Sequence, residues 1–267
     1  MITAGPAWTA EDSAWDGDAR SAVRLIAGAA VRASAAPAMR AGIEIRLGPG
    51  WKTYWRYPGD SGVPPRFDFA GSENVGNVTV LWPAPHRFTD DGGTSIGYKH
   101  NVVFPLRVTP RDAGKPVTLR LRLDYAVCEK LCVPAEAQAA LALPGGPSIH
   151  DTAIAAAESR VPKPALRGAA GPLAIAAVRR VSGRAKPLVL VDVVASGETD
   201  VELFAEGLTQ DWALPVPMSA QGAPAGHRHF GFELDGLPPG VDPKGPLEIR
   251  LTAVAGQEAI EVTTHLD

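Results

Sequence analysis

The sequence predicts an all-β protein built as two tandem β-sandwich domains joined by one short helix. Three observations carry this. Glycine (28) and proline (25) fill about a fifth of the 267 residues, a load that interrupts helices and favours short strands joined by turns. Apolar and polar residues alternate with a period of two, as in Ile43-Glu44-Ile45-Arg46-Leu47 and Leu119-Arg120-Leu121-Arg122-Leu123. Clusters of turn residues separate these runs: Gly48-Pro49-Gly50, Pro58-Gly59-Asp60-Ser61-Gly62, Pro83-Ala84-Pro85 and Asp90-Asp91-Gly92-Gly93. Hydrophobic residues make up 45% of the chain, enough for packed cores.

Taken in order, residues 1–18 are rich in Ala, Trp and Asp and read as a loosely held N-terminal arm. Strand-like runs follow at Ser21–Ala30, Met39–Leu47, Val75–Trp82, Val102–Val108, Val117–Tyr125 and Ala137–Leu143, placing a first sandwich over 19–146. A linker over 147–166 holds the one helical pattern, about Ile149–Arg160. Ser148 or Asp151 is its N-cap candidate, and Pro162 and Pro164 stop it. A second sandwich is expected over 167–267, with strands at Leu173–Val181, Leu188–Val194, Val201–Ala205, His229–Leu234, Leu247–Ala255 and Ala259–His265.

Charge and hydropathy narrow the function classes. A net charge of −3 offers no basic field for nucleic acid and no polybasic patch for anionic lipid. No apolar run approaches the roughly 18–20 residues of a membrane-spanning helix, so direct membrane insertion is not expected. The N-terminal residues lack the charged and apolar regions of a signal peptide, which taken alone points to the cytoplasm.

The chemistry concentrates at the only two cysteines, Cys128 and Cys132, in Asp124-Tyr125-Ala126-Val127-Cys128-Glu129-Lys130-Leu131-Cys132-Val133-Pro134. A disulfide needs its Cα atoms within about 4.4–6.8 Å, whereas a straight strand advances about 3.3 Å per residue, so a bond requires the intervening residues to turn or bulge. A bridge closing so short a loop removes little entropy from the unfolded chain and is a poor staple. The pair therefore reads as a redox-active dithiol, as an inert clip in a secreted domain, or as two free thiols of a cytosolic protein. No histidine lies near it in sequence to complete a soft metal site, so neither a metal nor another cofactor is expected there. His227 and His229 sit at i, i+2, a spacing that a metal could use but that surface histidines also show, and Asp90-Asp91 reads as a turn before it reads as a calcium site. Trp55 reads as core, and the carboxylates of Asp124 and Glu129 oppose Lys130 in setting the thiols' ionisation.

Ordered motifs over roughly residues 20–145 carry a family resemblance. They are Gly50-Trp51-Lys52-Thr53-Tyr54-Trp55-Arg56-Tyr57-Pro58-Gly59-Asp60, Pro64-Pro65-Arg66-Phe67, Trp82-Pro83-Ala84-Pro85, Ile96-Gly97-Tyr98, Phe104-Pro105-Leu106 and Tyr125-x-x-Cys128-x-x-x-Cys132-x-Pro134. This part of the chain resembles the periplasmic N-terminal domain of the thiol:disulfide interchange family DsbD, and is closer to its copper-sensitivity-suppressor branch, ScsB. The resemblance implies an immunoglobulin-like sandwich, a periplasmic location and a component of a protein-disulfide reductase system. Cys128 and Cys132 would be the redox pair, with Cys132 the exchanging sulfur. Electrons would pass between a membrane electron-transfer domain and thioredoxin-fold partners. The stretch Phe88–Thr94, with Phe88, Asp90 and Asp91, falls where the family carries a cap over the pair, and Tyr54 and Tyr98 fall beside the site. The chain departs from DsbD in placing three residues rather than five between its cysteines, and in lacking an aromatic tip in Thr89-Asp90-Asp91-Gly92-Gly93. The rival function is a non-catalytic periplasmic binding or copper-stress module whose disulfide is only structural.

Overall fold

The computed structural model describes residues 10–30, 38–90, 93–181, 186–197, 199–209, 212, 214–235, 237–238, 240–242 and 245–266. Over these the protein is nearly all β, with several sheets and one short helix, in keeping with an immunoglobulin-like sandwich fold. The chain divides into two compact units. The first comprises Met1–Arg56, Val63–Pro83 and Gly97–Ser159, and the second Tyr57–Gly62, Ala84–Ile96 and Arg160–Asp267.

The strands before the helix are β1 (Asp16–Gly17), β2 (Ser21–Ala27), β3 (Met39–Leu47), β4 (Lys52–Gly59), β5 (Arg66–Asp68), β6 (Val75–Val80), β7 (His86–Asp90), β8 (Gly93–Lys99), β9 (Asn101–Pro110), β10 (Val117–Cys128) and β11 (Cys132–Leu143). One sheet runs β1-β2-β3-β9-β6. The other runs β11-β10-β4-β8-β7, with β5 also paired to β10. The alternation read from the sequence sorts side chains between core and solvent. Ile43 and Ile45 of β3 and Leu119, Leu121 and Leu123 of β10 are buried, while the polar residues between them lie at the surface or are half-buried. A ring cluster of Phe67, Trp82, Tyr98 and Phe104 fills part of this core at centroid separations of 5.2–5.6 Å.

The N-terminal arm is not loosely held over its described part. Residue Trp15 lies between the guanidiniums of Arg24 and Arg46, at 4.5 and 4.6 Å. Ser13 exchanges hydrogen bonds with the Leu25 backbone, and β1 pairs with β2. Residues 1–9 of the expected arm lie outside the described residues.

The helix, α1 (Asp151–Ser159), is shorter than expected and packs as part of the first unit rather than as a free connector. Ser148 and Asp151 share the N-terminal role. The Ser148 hydroxyl accepts from the His150 N–H at 3.1 Å and the Asp151 carboxylate accepts from the Ser148 N–H at 2.8 Å, a reciprocal capping box. Ile154 is fully buried, and Glu158 accepts from Arg40 at 2.8 and 3.0 Å and from Arg107. Burial alone would raise the Glu158 pKa, but the two guanidiniums converging on the carboxylate outweigh this and lower it.

The second unit holds β12 (Lys163–Pro164), β13 (Leu173–Val181), β14 (Leu188–Ala195), β15 (Val201–Gly207), β16 (Met218–Ala220), β17 (His227–Glu233), β18 (Leu247–Ala255) and β19 (Glu258–Leu266). They form two four-stranded sheets, β12-β19-β18-β15 and β13-β14-β17-β16. Val189, Val191 and Val193 share one core cluster with Ile249, Leu251 and Val262. Two short segments from the first half of the chain are counted here, where linear boundaries at 146 and 167 would not put them. The Tyr57 hydroxyl donates to the Leu214 carbonyl, and the Arg87 guanidinium donates to the carbonyls of Leu203 (3.1 Å) and Pro217 (2.9 Å). Burial lowers the Arg87 pKa, while Glu202, whose carboxylate accepts from the Arg87 N–H, favours the charged form.

Candidate functional site: a cross-strand cysteine pair

The site grows from the β10–β11 hairpin. Its register runs without a slip from Val117 opposite Leu143 to Cys128 opposite Cys132, so the cysteines are the last cross-strand pair before the tip. Glu129, Lys130 and Leu131 make the bend, and Leu131 is 79% exposed. Directly opposed residues in an antiparallel pair stand about 4.5–5.5 Å apart at Cα, inside the range a disulfide spans. The hairpin can therefore hold the pair as two thiols or as a bond with little backbone movement. Both strands reach further toward the tip than the alternating pattern indicates. Tyr125, Ala126, Val127 and Cys128 are all buried, so the polar–apolar rhythm that reveals a half-buried strand stops there.

The two sulfurs differ in environment. Cys128 is 7% exposed and Cys132 is exposed. Burial pushes the Cys128 thiol up, and the neighbouring Cys132 adds to this, while Tyr54 and Lys52 act the other way. Both of those residues come from β4, which pairs with β10 so that Thr53 faces Val127 and Lys52 faces Cys128. The period of two then sets Lys52 and Tyr54 on one face with Ala126 and Cys128. Tyr54, Ala126 and Cys128 form a small buried cluster, and the Tyr54 hydroxyl lies 2.9 Å from Cys132 Sγ. Burial, and then its bond to Cys132, pushes the Tyr54 phenol far above its ordinary value. It therefore stays protonated and can donate toward sulfur.

The surroundings fix β4 tightly. Thr53 Oγ1 donates to the Ala126 carbonyl at 2.9 Å. Gly97 of β8 passes so close that a Cβ there would meet the Thr53 carbonyl oxygen at 2.0 Å. Gly50, in the turn before β4, has φ +83°, and a Cβ there would meet Glu129 Oε1 at 3.0 Å. At the base of the same segment, Tyr125 and Ser21 share a buried hydroxyl–hydroxyl bond of 2.8 Å.

Of the residues marked from sequence, the structure brings together Cys128, Cys132 and Tyr54. Tyr98 serves the aromatic core: its hydroxyl donates to the Pro83 carbonyl at 2.8 Å and its ring stands edge-on to Phe104. Phe88, half-buried, and Asp90 lie on β7, and Asp91 lies outside the described residues. Trp55 is fully buried. The two histidines on β17 converge on Asp192, His227 Nδ1 at 2.9 Å and His229 Nε2 at 3.6 Å. Among the described residues no group of three or more His, Cys, Asp or Glu side chains is arranged to hold a metal ion, and no helix is long and apolar enough to cross a membrane. The residue missed by sequence reasoning is Lys52. Its place two residues before Tyr54 on a strand was the available signal.

A hairpin that ends in one buried and one exposed cysteine holds the two sulfurs that thiol–disulfide interchange requires. Residues 23–144 match the family described as thiol:disulfide interchange protein DsbD, N-terminal. Among solved structures, the chain is similar to the N-terminal periplasmic domain of ScsB from Proteus mirabilis. The match has a TM-score of 0.70 at 21% identity, covering 96% of this chain and 98% of that one. No curated protein matches the sequence.

Proposed function

We propose that this protein exchanges disulfides with thioredoxin-fold partners in the periplasm through Cys128 and Cys132, as the soluble end of a relay that includes a membrane electron-transfer domain. The observation that carries the reading is the asymmetry of the pair: an exposed Cys132, touched by a protonated Tyr54, beside a buried Cys128. In the reducing direction, the Cys132 thiolate attacks a partner disulfide. A mixed disulfide forms and one partner sulfur leaves as thiolate. Cys128 then attacks Cys132 Sγ, the mixed bond breaks, and the partner departs with both sulfurs reduced while this domain carries the Cys128–Cys132 bond. The reverse sequence recharges it. The Tyr54 hydroxyl donates to Cys132 as charge develops on that sulfur. Phe88, Asp90 and Asp91 keep, within this proposal, the role of a movable cover that the family resemblance gives them.

Trapping tests the reading. Cys128→Ser, which cannot resolve, should accumulate a mixed disulfide with thioredoxin-fold partners, and Cys132→Ser should give little. The opposite pattern would reverse the assignment, and no adduct from either variant would remove exchange. Deleting Asp90–Gly93 should speed alkylation of the reduced thiols by iodoacetamide without unfolding the protein, and an unchanged rate would eliminate the cover.

A further inference from the structure

Three strands place Lys52, Cys128 and Cys132 in a row. Lys52 is the register partner of Cys128 on one side, and Cys132 is its partner on the other. Directly opposed residues of neighbouring strands project to the same face, so all three side chains point the same way. Lys52 is also 6% exposed, as buried as Cys128 at 7%. A long cationic side chain rarely sits so deep, because removing an ammonium from water costs free energy that hydrophobic burial does not return.

From this row we infer that Lys52 is a positioning residue for the resolving step: its cationic side chain, on the same face as the pair, stabilises the negative charge that Cys128 must carry to attack Cys132 Sγ. The inference rests on the exchange reading above and adds a role that this reading does not assign. In the step concerned, the Cys128 S–H loses its proton and its sulfur bonds to Cys132 Sγ. The bond from Cys132 to the partner breaks with its electron pair going to the partner sulfur. The proton released by Cys128 balances the one taken up by the departing thiolate through solvent. Burial opposes ionisation of Cys128, and Lys52 offsets part of that opposition. The other groups facing Cys128 are Tyr54, from β4, and Cys132, from β11, with Glu129 next in the chain. Tyr54 supplies a dipole but no charge, and the other nearby cation, Lys130, lies exposed in the bend between the two cysteines.

The size of the effect follows from general magnitudes. An ammonium and a thiolate about 6 Å apart, in a medium of effective dielectric about 20, shift the ionisation equilibrium by on the order of a hundredfold. Losing the cation thus cuts the thiolate fraction about a hundredfold. The thiolate that remains is more basic and, with a Brønsted slope of about 0.4–0.5, roughly eightfold more reactive. The net loss in rate below the thiol's titration is roughly tenfold.

Ellman's reagent reads this directly on the intact protein. Cys132 attacks first and releases one 5-thio-2-nitrobenzoate, and Cys128 then closes the disulfide and releases the second. Lys52→Met should leave the first phase near wild type and slow the second roughly tenfold at neutral pH. Above the thiol's titration the deficit should vanish or invert, an outcome that loosened packing would not produce. Lys52→Arg, which keeps the charge, should restore the second phase. If Lys52→Met does not fold, as judged by its melting transition, Lys52→Gln carries the same comparison. A second phase unchanged at neutral pH in the folded neutral variant overturns the inference. So does one slowed equally at every pH. No protein partner is present, so the outcome separates from the trapping experiment: normal trapping with an unchanged second phase removes Lys52 alone, and failed trapping with a slowed second phase removes partner exchange alone.

Discussion

Replacing Tyr54 by Phe removes one oxygen from the site and little else. The ring is 1% exposed and packs with Ala126 and Cys128, so Phe fills the same space. What disappears is the 2.9 Å contact between the hydroxyl and Cys132 Sγ. A neutral hydrogen bond of this kind contributes about 0.5–1.5 kcal/mol net. The hydroxyl bonds the free sulfur of the dithiol, and a sulfur already bound in a disulfide is the poorer acceptor. Its loss therefore falls mainly on the reduced form. For a two-electron couple, 1.4 kcal/mol corresponds to about 30 mV, so the reduction potential of Tyr54→Phe should move about 10–30 mV more negative. The sign is fixed: a reduced state that loses a stabilising bond is harder to populate. Because the phenol stays protonated well beyond neutrality, the difference should hold across the neutral range. Equilibration with graded ratios of reduced and oxidised glutathione, acid quenching, and counting alkylated thiols by mass would measure it. A potential unchanged within a few millivolts, or moved to a more positive value, would refute the claim that the hydroxyl favours the reduced sulfur.

Two further outcomes test the scaffold. Glu158→Gln leaves Arg40 and Arg107 without their shared anion and should lower unfolding stability by about 1–3 kcal/mol in a denaturant melt. The Glu158 carboxyl is depressed in the folded state relative to about 4.3 unfolded, so its contribution is present above that value and fades as pH falls through the folded value. The variant's deficit should therefore shrink on acidification below about pH 4, and a deficit constant from pH 7 to 3 would remove the ionic account. Gly97→Ala drives a methyl into the Thr53 carbonyl and should cost about 1–3 kcal/mol while displacing β4 and its Tyr54. A variant as stable as wild type would show that β8 and β4 are not held so close.

The sequence by itself determined the fold class, because a period of two and clusters of turn residues are local properties. Ile43, Ile45, Leu119, Leu121 and Leu123 announce their faces without reference to anything distant, and the two lone cysteines announce the chemistry. It also marked the helix cap, since Ser148 and Asp151 act within one turn. The tertiary structure decided the rest. Strand β10 ends in a fully buried stretch with no alternation, so its extension to Cys128 shows only once its partners are in place. Residues Asp12 to Gly17 look polar and mobile until Arg24 and Arg46 enclose Trp15. Tyr57 and Arg87 join the second unit through carbonyls at Leu214, Leu203 and Pro217, more than 100 residues away. The asymmetry of the site belongs to the same class. Cys128 and Cys132 are four positions apart and chemically identical on paper. Which sulfur is buried, and which side chains face it, depends on the register of β4 against β10, a pairing between segments some 75 residues apart.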